Sequence, residues 1–529
     1  MPYPDSPQSA RGPRAAALLL VALLLTLFGA VASPARAQTA LTILHTSEHH
    51  GTLQALDHGP FKGLGGVERR ATLIAQVRRE AAHVLLVDSG DLLVGTAMSS
   101  AFRGEADIAA MNLMGYDAVA AGNHDFDFGT DHLRTLQKEA RFPFLCTNLQ
   151  PKAPNICHRF VVKSVGPLRI GLLGLIGKGN YPETFNRAAV REVEFQDPIE
   201  AAQAAAAELR ERVELLVAIT HQDTEEDLAL AKAVPALDVI IGGHTKGFDG
   251  LVPPGQTAPV EGRIELAGVG PVFVKTHRQG QTLGRLDLLY HEKTVMVAEA
   301  RNLPVSSSLP PDPQVAALVQ EYARRLDKAS NHVVGVATVP LDGESGQIRT
   351  RGTNLGNLLA DLARGHAGTD LALVNSGVVR SSIPAGPVTL KRILEVLPFD
   401  STLVSFKMSG AHLREALENS VSRLPHASGR FLQVSGLSYA FDPRAPAGSR
   451  VKEIQINGAP LDPGRRYSVV VDQFLAEGGD GYAMFLQIPD KRDHQIPLRD
   501  LLASAFKTGP LTATEEARIR DVGGIGKTH

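Results

Sequence analysis

The chain has no tryptophan, and only two of its 529 residues are cysteine, Cys146 and Cys157. Two cysteines cannot build a disulfide framework or a thiolate metal cage, and these two do not form a C-x-x-C pair. A local disulfide and two free thiols both stay open, since pairing depends on a Cα separation that spacing does not set. An excess of one charge is also missing: 54 basic and 56 acidic residues leave a net charge of −2. That balance excludes the broad basic surface needed to bind duplex nucleic acid, though not a small basic pocket for one phosphate. The glycine-rich stretch Gly63–Gly66 lacks the Lys-Ser/Thr of a phosphate loop. Hydrophobic residues at 43% and charged residues at 21% place the chain in the globular class.

Long apolar runs are scarce too. The one present, Ala15 to Val31, follows Arg11 and Arg14 and leads to Ala35-Arg36-Ala37. That order of basic, apolar and A-x-A segments predicts a cleavable secretory signal over residues 1–37, with an uncleaved anchor as the alternative. No cysteine follows at once, which excludes a lipid anchor there. The expected protein is exported (periplasmic, envelope-bound or extracellular), with no membrane span after signal removal. Its oligomeric state is left open.

Short apolar runs then alternate with helix-like stretches. Leu41–Leu44, Val84–Val87, Asp117–Ala121, Leu215–Ile219 and Val239–Ile241 read as buried strands. Val67–Glu80 and Pro198–Val213 read as helices, the second with proline at its first turn. This alternation predicts layered α/β packing. Residues 304–313, rich in Pro and Ser, read as a linker. A helix follows with Val315, Leu318, Val319, Tyr322 and Leu326 on one face. The expected division is a domain over 38–303, a linker and helix over 304–332, a second α/β domain over 333–510 and a tail over 511–529.

What ends the first-domain strands carries the chemistry. The five runs lead into His45-Thr46-Ser47-Glu48-His49-His50-Gly51, Asp88-Ser89-Gly90-Asp91, Gly122-Asn123-His124-Asp125-Phe126-Asp127, Thr220-His221 and Gly242-Gly243-His244-Thr245-Lys246. Singly, a His or Asp after a strand is a cap or turn residue. Five such ends in one domain converge, because ligand sites in α/β sheets form at the carboxyl ends of the strands. Imidazole, carboxylate and amide oxygen together suit divalent Mn, Zn or Co. Two such cations can activate a water and clamp a phosphoryl group.

The ordered set resembles the calcineurin-like metallophosphatase domain of the secreted 5′-nucleotidase family, with its H-T-N-D-x-H-G, G-D, G-N-H-[DE]-F-D, isolated His and G-G-H-x-[HQ] motifs. Similarity continues through Arg351-Gly352-Thr353-Asn354-Leu355-Gly356-Asn357, Asn375-Ser376-Gly377-Val378-Val379-Arg380, Leu397-Pro398-Phe399 and Phe474 to Tyr482. The resemblance covers nearly all of the chain after the signal. It implies a four-layer α/β-sandwich metallophosphatase domain, a linker helix and a smaller C-terminal α/β substrate-binding domain. It also implies two divalent metal ions bridged by Asp91, one site completed by Asn123, His221 and His244, the other by Glu48, His50 and position 246. His124, oriented by Asp127, would stabilise the phosphoryl transition state.

Two residues depart from the family pattern: Glu48 stands for Asp, and Lys246 for His or Gln. An ammonium only donates, so Lys246 supplies no ordinary ligand. In the second domain the resemblance implies nucleoside binding, with Phe399 and Phe474 stacking on the base, Asp480 on ribose, and Arg351, Asn375 and Arg380 on the substrate. Base stacking falls to Phe and Tyr in a chain without Trp. The implied reaction is hydrolysis of a nucleoside monophosphate. Cyclic nucleotide diesters, nucleotide sugars and nucleotide binding without turnover stand as alternatives.

Overall fold

The computed structural model describes residues 38–524, apart from 57–60, 153, 155, 180, 183, 186–190, 245–263, 266–270, 400 and 515. The signal segment 1–37 and Lys246 lie outside the described residues.

Two six-stranded sheets form the first domain. The first runs Thr294–Pro304, Thr282–His291, Thr39–Thr46, Val84–Asp88, Ala118–Ala120, Phe144–Leu145. The second runs Ile264–Glu265, Val272–Lys275, Val239–Gly242, Leu215–His221, Leu168–Ile176, Phe160–Val165. Within each sheet the strands that carry the polar motifs are parallel to one another, so their carboxyl ends lie along one edge.

Side-chain alternation along each strand sorts the layers. Leu41, Ile43, Leu85 and Val87 meet Leu172, Val217, Ile219 and Ile241 between the two sheets. Their neighbours Leu44 and Leu86 face outward, onto Val67, Ile74, Ile108 and Met111 of helices Val67–Glu80 and Glu105–Met114. On the far side, Leu216, Ala218 and Ile240 meet Ala202, Ala206 and Leu230 of helices Pro198–Leu209 and Thr224–Ala233. The result is the expected four-layer helix–sheet–sheet–helix sandwich. Asp197 caps helix Pro198–Leu209, accepting from the N–H groups of Ile199 and Glu200.

Helix Pro313–Ser330 is more than a connector. Val315, Val319, Tyr322 and Leu326 bury the predicted face against the first domain's outer helical layer. Tyr322 Oη donates to Glu105 at 2.6 Å.

The second domain centres on a five-stranded sheet, ordered Leu432–Ser435, Leu371–Asn375, Arg466–Asp472, Thr402–Ser409, Arg492–Pro497. Helices Asn354–Ala367 and Leu498–Thr508 cover one face and Gly410–Val421 the other. The tail expected from residue 511 does not hold along its whole length. Ile519–Asp521 pairs in parallel with Leu437–Phe441, and Arg518 forms an ion pair with Asp361 at 2.8 Å. Among the described residues, no helix is long and apolar enough to cross a membrane.

Candidate active site

The polar strand ends converge as the topology requires. His221 Nε2 lies 3.3 Å from Asp91 Oδ2, 3.2 Å from Asn123 Oδ1 and 3.2 Å from His244 Nδ1. Four donors held 2.0–2.2 Å from one cation in a tetrahedron stand about 3.4 Å apart, so these atoms fit a shared divalent ion. The other ring nitrogen of His221 is 2.8 Å from Ser89 O. Donation there fixes the tautomer and turns Nε2 to the cluster as the atom able to ligate. His50 repeats the device: Nδ1 faces Val94 O at 3.0 Å, and Nε2 turns towards Asp91 Oδ2 at 3.8 Å.

Two groups emerge with Asp91 in common. One joins Glu48, Asp91, His221 and His244; the other joins His50, Asp91 and His124. Glu48 differs from its expected place. Its Oε1 accepts from the His244 backbone N–H at 2.8 Å and lies 3.5 Å from His221, whereas its Oε2 is 3.4 Å from His50. The extra methylene relative to Asp thus lets one carboxylate face both groups.

The electrostatics suit a cation. Burial opposes ionisation of Asp91, yet the imidazoles of His221, His124 and His50 outweigh it and hold the carboxyl well below its ordinary range. Burial likewise opposes the imidazolium of His221, but Asp91 and Glu48 lift its pKa to about 10. Burial, with the charge of His221, pushes His244 down to about 4. The backbone is strained at the same place: Glu48, His50, Asp91 and His244 all have φ between 49° and 59°. Such left-handed non-glycine residues cost about 1 kcal/mol or more each, and they cluster at functional sites.

One residue that sequence reasoning passed over holds this region together. Asp125, fully buried, accepts from the backbone N–H groups of Asp91, Leu92, Leu93 and Gly122 at 2.8–3.2 Å. It joins the Asp91 turn to the Asn123–His124 turn. Beside it, His124 Nδ1 is 2.6 Å from Asp127 Oδ2, and the His124 backbone N–H donates to Asp91 Oδ1.

The second domain faces this cluster. Arg380 Nη2 is 3.3 Å from His124 Nε2, and its guanidinium lies over the Phe399 ring at 5.0 Å. Phe399 packs against the first domain and sits 5.9 Å from the His124 ring. Phe474 is half-buried against the edge of the second domain's core, and its ring covers Gly479. Asn375 Nδ2 donates to Asp480 Oδ2 at 2.8 Å.

Arg351 is an exposed residue. It is hydrogen-bonded to Gln347 and ion-paired with Asp342, with 46% of its side chain exposed. Arg349, two residues earlier, takes the inward place. It is 8% exposed, its Nε has no hydrogen-bond partner among the described residues, and burial with the charges of Arg380 and Arg278 pushes its pKa down to about 9. The two arginines are alike in sequence. Both follow the short helix Ser345–Ile348, with Arg349 at its C-cap.

Comparison with known proteins agrees with this geometry. Residues 41–247 match the calcineurin-like phosphoesterase family, and residues 333–487 match the 5′-nucleotidase C-terminal domain. A human 5′-nucleotidase is 32% identical over 96% of this chain and 95% of its own length. The chain belongs to the 5′-nucleotidase family. A snake venom 5′-nucleotidase from Gloydius brevicauda is 32% identical over 86% of this chain and 84% of its own. The crystal structure of a 5′-nucleotidase precursor from Thermus thermophilus superposes with a TM-score of 0.81. It shares 33% identity and covers 91% of this chain and 99% of that one.

The protein is therefore a metallophosphoesterase of the 5′-nucleotidase type, and the buried His, Asp and Glu groups are its metal-site candidates. Family membership implies a nucleotide substrate. Cys146 and Cys157 are joined in a disulfide, with their Cα atoms 5.9 Å apart, which decides the alternative left open by spacing. A disulfide suits an exported 5′-nucleotidase, since such bonds persist in oxidising compartments.

Proposed function

We propose that this 5′-nucleotidase hydrolyses nucleoside monophosphates to nucleoside and phosphate, with two divalent cations (Mn, Zn or Co) held by Glu48, His50, Asp91, Asn123, His221 and His244. The spacing of Asp91, Asn123, His221 and His244 about one point, with Asp91 shared by a second group, carries the reading. When bound, such a pair polarises the phosphoryl oxygens and lowers the pKa of an attacking water.

The chain's own residues do the rest. Asp127 fixes the His124 ring through Nδ1, so Nε2 points towards the second domain as a hydrogen-bonding and proton-handling atom. Arg380 and Arg349 bring planar cationic donors to the same region. Phe399, Phe474, Asn375 and Asp480 form the nucleoside side, with the phenyl rings for the base and the carboxylate for ribose hydroxyls. Cleavage after Ala37 and release beyond the cytoplasm complete the reading, supported by the signal-like N-terminus and the disulfide.

The test is phosphate release from a nucleoside 5′-monophosphate by metal-stripped protein resupplied with Mn, Co or Zn, run beside Asn123→Ala. Metal-dependent release that the variant loses supports the proposal. Faster turnover of bis-p-nitrophenyl phosphate than of the monoester would make the protein a diesterase instead. Release independent of metal would end the two-cation reading.

A further inference from the structure

Two charged side chains beneath the metal-site candidates have no part in the chemistry described so far. Lys275 is 5% exposed and Asp227 is wholly buried. Lys275 Nζ lies 3.4 Å from Asp227 Oδ2 and donates to Gly243 O at 3.0 Å. Asp227 Oδ1 accepts from Thr220 Oγ1 at 2.6 Å and from Gln222 Nε2 at 2.9 Å. Thr220 and Gln222 flank His221, and Gly243 precedes His244. The Gly243 N–H closes the ring by donating to Thr220 O at 2.7 Å. One buried ion pair thus grips the ends of both strands that present the second-sheet histidines.

Stability alone does not account for such a pair. Desolvating two charges consumes most of their attraction, and an apolar pair of similar volume packs as well. What the pair supplies is direction, through fixed hydrogen bonds to the residues on either side of His221 and to the residue before His244. The chain also makes room for it. A Cβ at Gly242 would come within 2.5 Å of Lys275 Cε and 2.7 Å of Asp227 Oδ2. Gly242 is therefore set by the pair beneath it, whereas a Cβ at Gly243 would meet Ser89 O at 2.8 Å.

We propose that Lys275 and Asp227 are positioning residues that hold His221 and His244 at the separation a shared cation requires. This rests on the assignment of those two histidines as ligands. Groups that orient metal ligands typically contribute about 10–100-fold to metal affinity.

The experiment is calorimetric titration of metal-stripped full-length protein with Zn(II), with melting in chelator alongside. Lys275→Met keeps the volume and loses the donor; Lys275→Gln keeps a donor for Gly243 O. The expected result is a loss of about tenfold or more at one of two binding events in the Met variant, the other unchanged, with most of the loss recovered in Gln. Wild-type binding in both variants would overturn the proposal. So would a loss at both events in step with a lower melting temperature, since that marks a merely structural role. Should Lys275→Met not fold, Asp227→Asn keeps the volume and carries the same comparison. His221→Ala separates the two readings. If it leaves both events intact, the ligand assignment fails. If it removes one event that Lys275→Met spares, only the positioning role fails.

Discussion

Arg380 of the second domain reaches within 3.3 Å of His124 Nε2 in the first. The contact joins the ring held by Asp127 to the second domain, so the two halves meet beside the metal-site candidates. Truncation to Arg380→Ala should lower kcat/KM by roughly 10–100-fold, the worth of one or two charged hydrogen bonds. Arg380→Lys should recover little, because an ammonium lacks the planar fork. Steady-state kinetics on a nucleoside monophosphate measure both.

Arg349 and Arg351 should separate cleanly. A buried guanidinium whose Nε has no partner among the described residues is costly to the folded state. Arg349→Met is therefore expected to melt at or above wild type while KM rises several-fold. Arg351→Ala should leave both within about 0.5 kcal/mol or its kinetic equivalent, as for an ordinary surface change. A KM effect confined to Arg351 would reverse the assignment.

Asp127→Asn keeps the shape of the side chain and removes the charge that orients His124. The expected outcome is a fall in kcat of roughly 100-fold, within the usual contribution of a positioned acid or base. KM should change little. An unchanged kcat would show that His124 needs no orienting carboxylate.

Asp125→Ala strips four backbone N–H groups of their acceptor. Each buried donor left unpaired costs about 1–3 kcal/mol, less whatever water recovers. A loss of roughly 3–5 kcal/mol in urea unfolding is expected, together with weaker metal binding, since Asp91 sits on the released turn. Full stability in this variant would mean that the turns hold themselves.

His50 has φ of 49°, a conformation that glycine adopts freely. In chelator, His50→Gly should melt no lower than His50→Ala, by a margin of about 1 kcal/mol in favour of glycine. Both should lose metal-dependent activity. Thermal melts of the two variants side by side give the comparison.

Much of this site is legible in the sequence. Helix Val67–Glu80 has the predicted bounds, and the five strand ends carry the donor groups in the predicted order. Periodicity and strand-end chemistry are local signals, and they survive folding. What the sequence leaves out is relational. Arg349 is buried and Arg351 exposed, although they are the same residue type two positions apart. Asp125 is one acidic residue within a polar motif, and nothing local shows that its oxygens meet the backbone of residues 91–93. The apolar face of Val315 to Leu326 is visible, but its partner, the first domain rather than open linker, is not. Lys275 and Asp227 are far apart in the chain and meet only after two strands and a helix have packed. Glu48 reads as a departure at one site, yet its reach to both groups depends on a backbone angle that no propensity predicts.

The donor atoms come from both halves of the sandwich: Glu48, His50, Asp91 and Asn123 from the first sheet's side, His221 and His244 from the second's. The cluster of Glu48, Asp91, His221 and His244 is complete in neither sheet alone. A cation there thus gains its full grip only once the sheets have met, which makes it a late latch rather than a seed for folding. Chelation should then speed unfolding far more than it slows refolding. A chain built this way can fold empty and take up its metal afterwards.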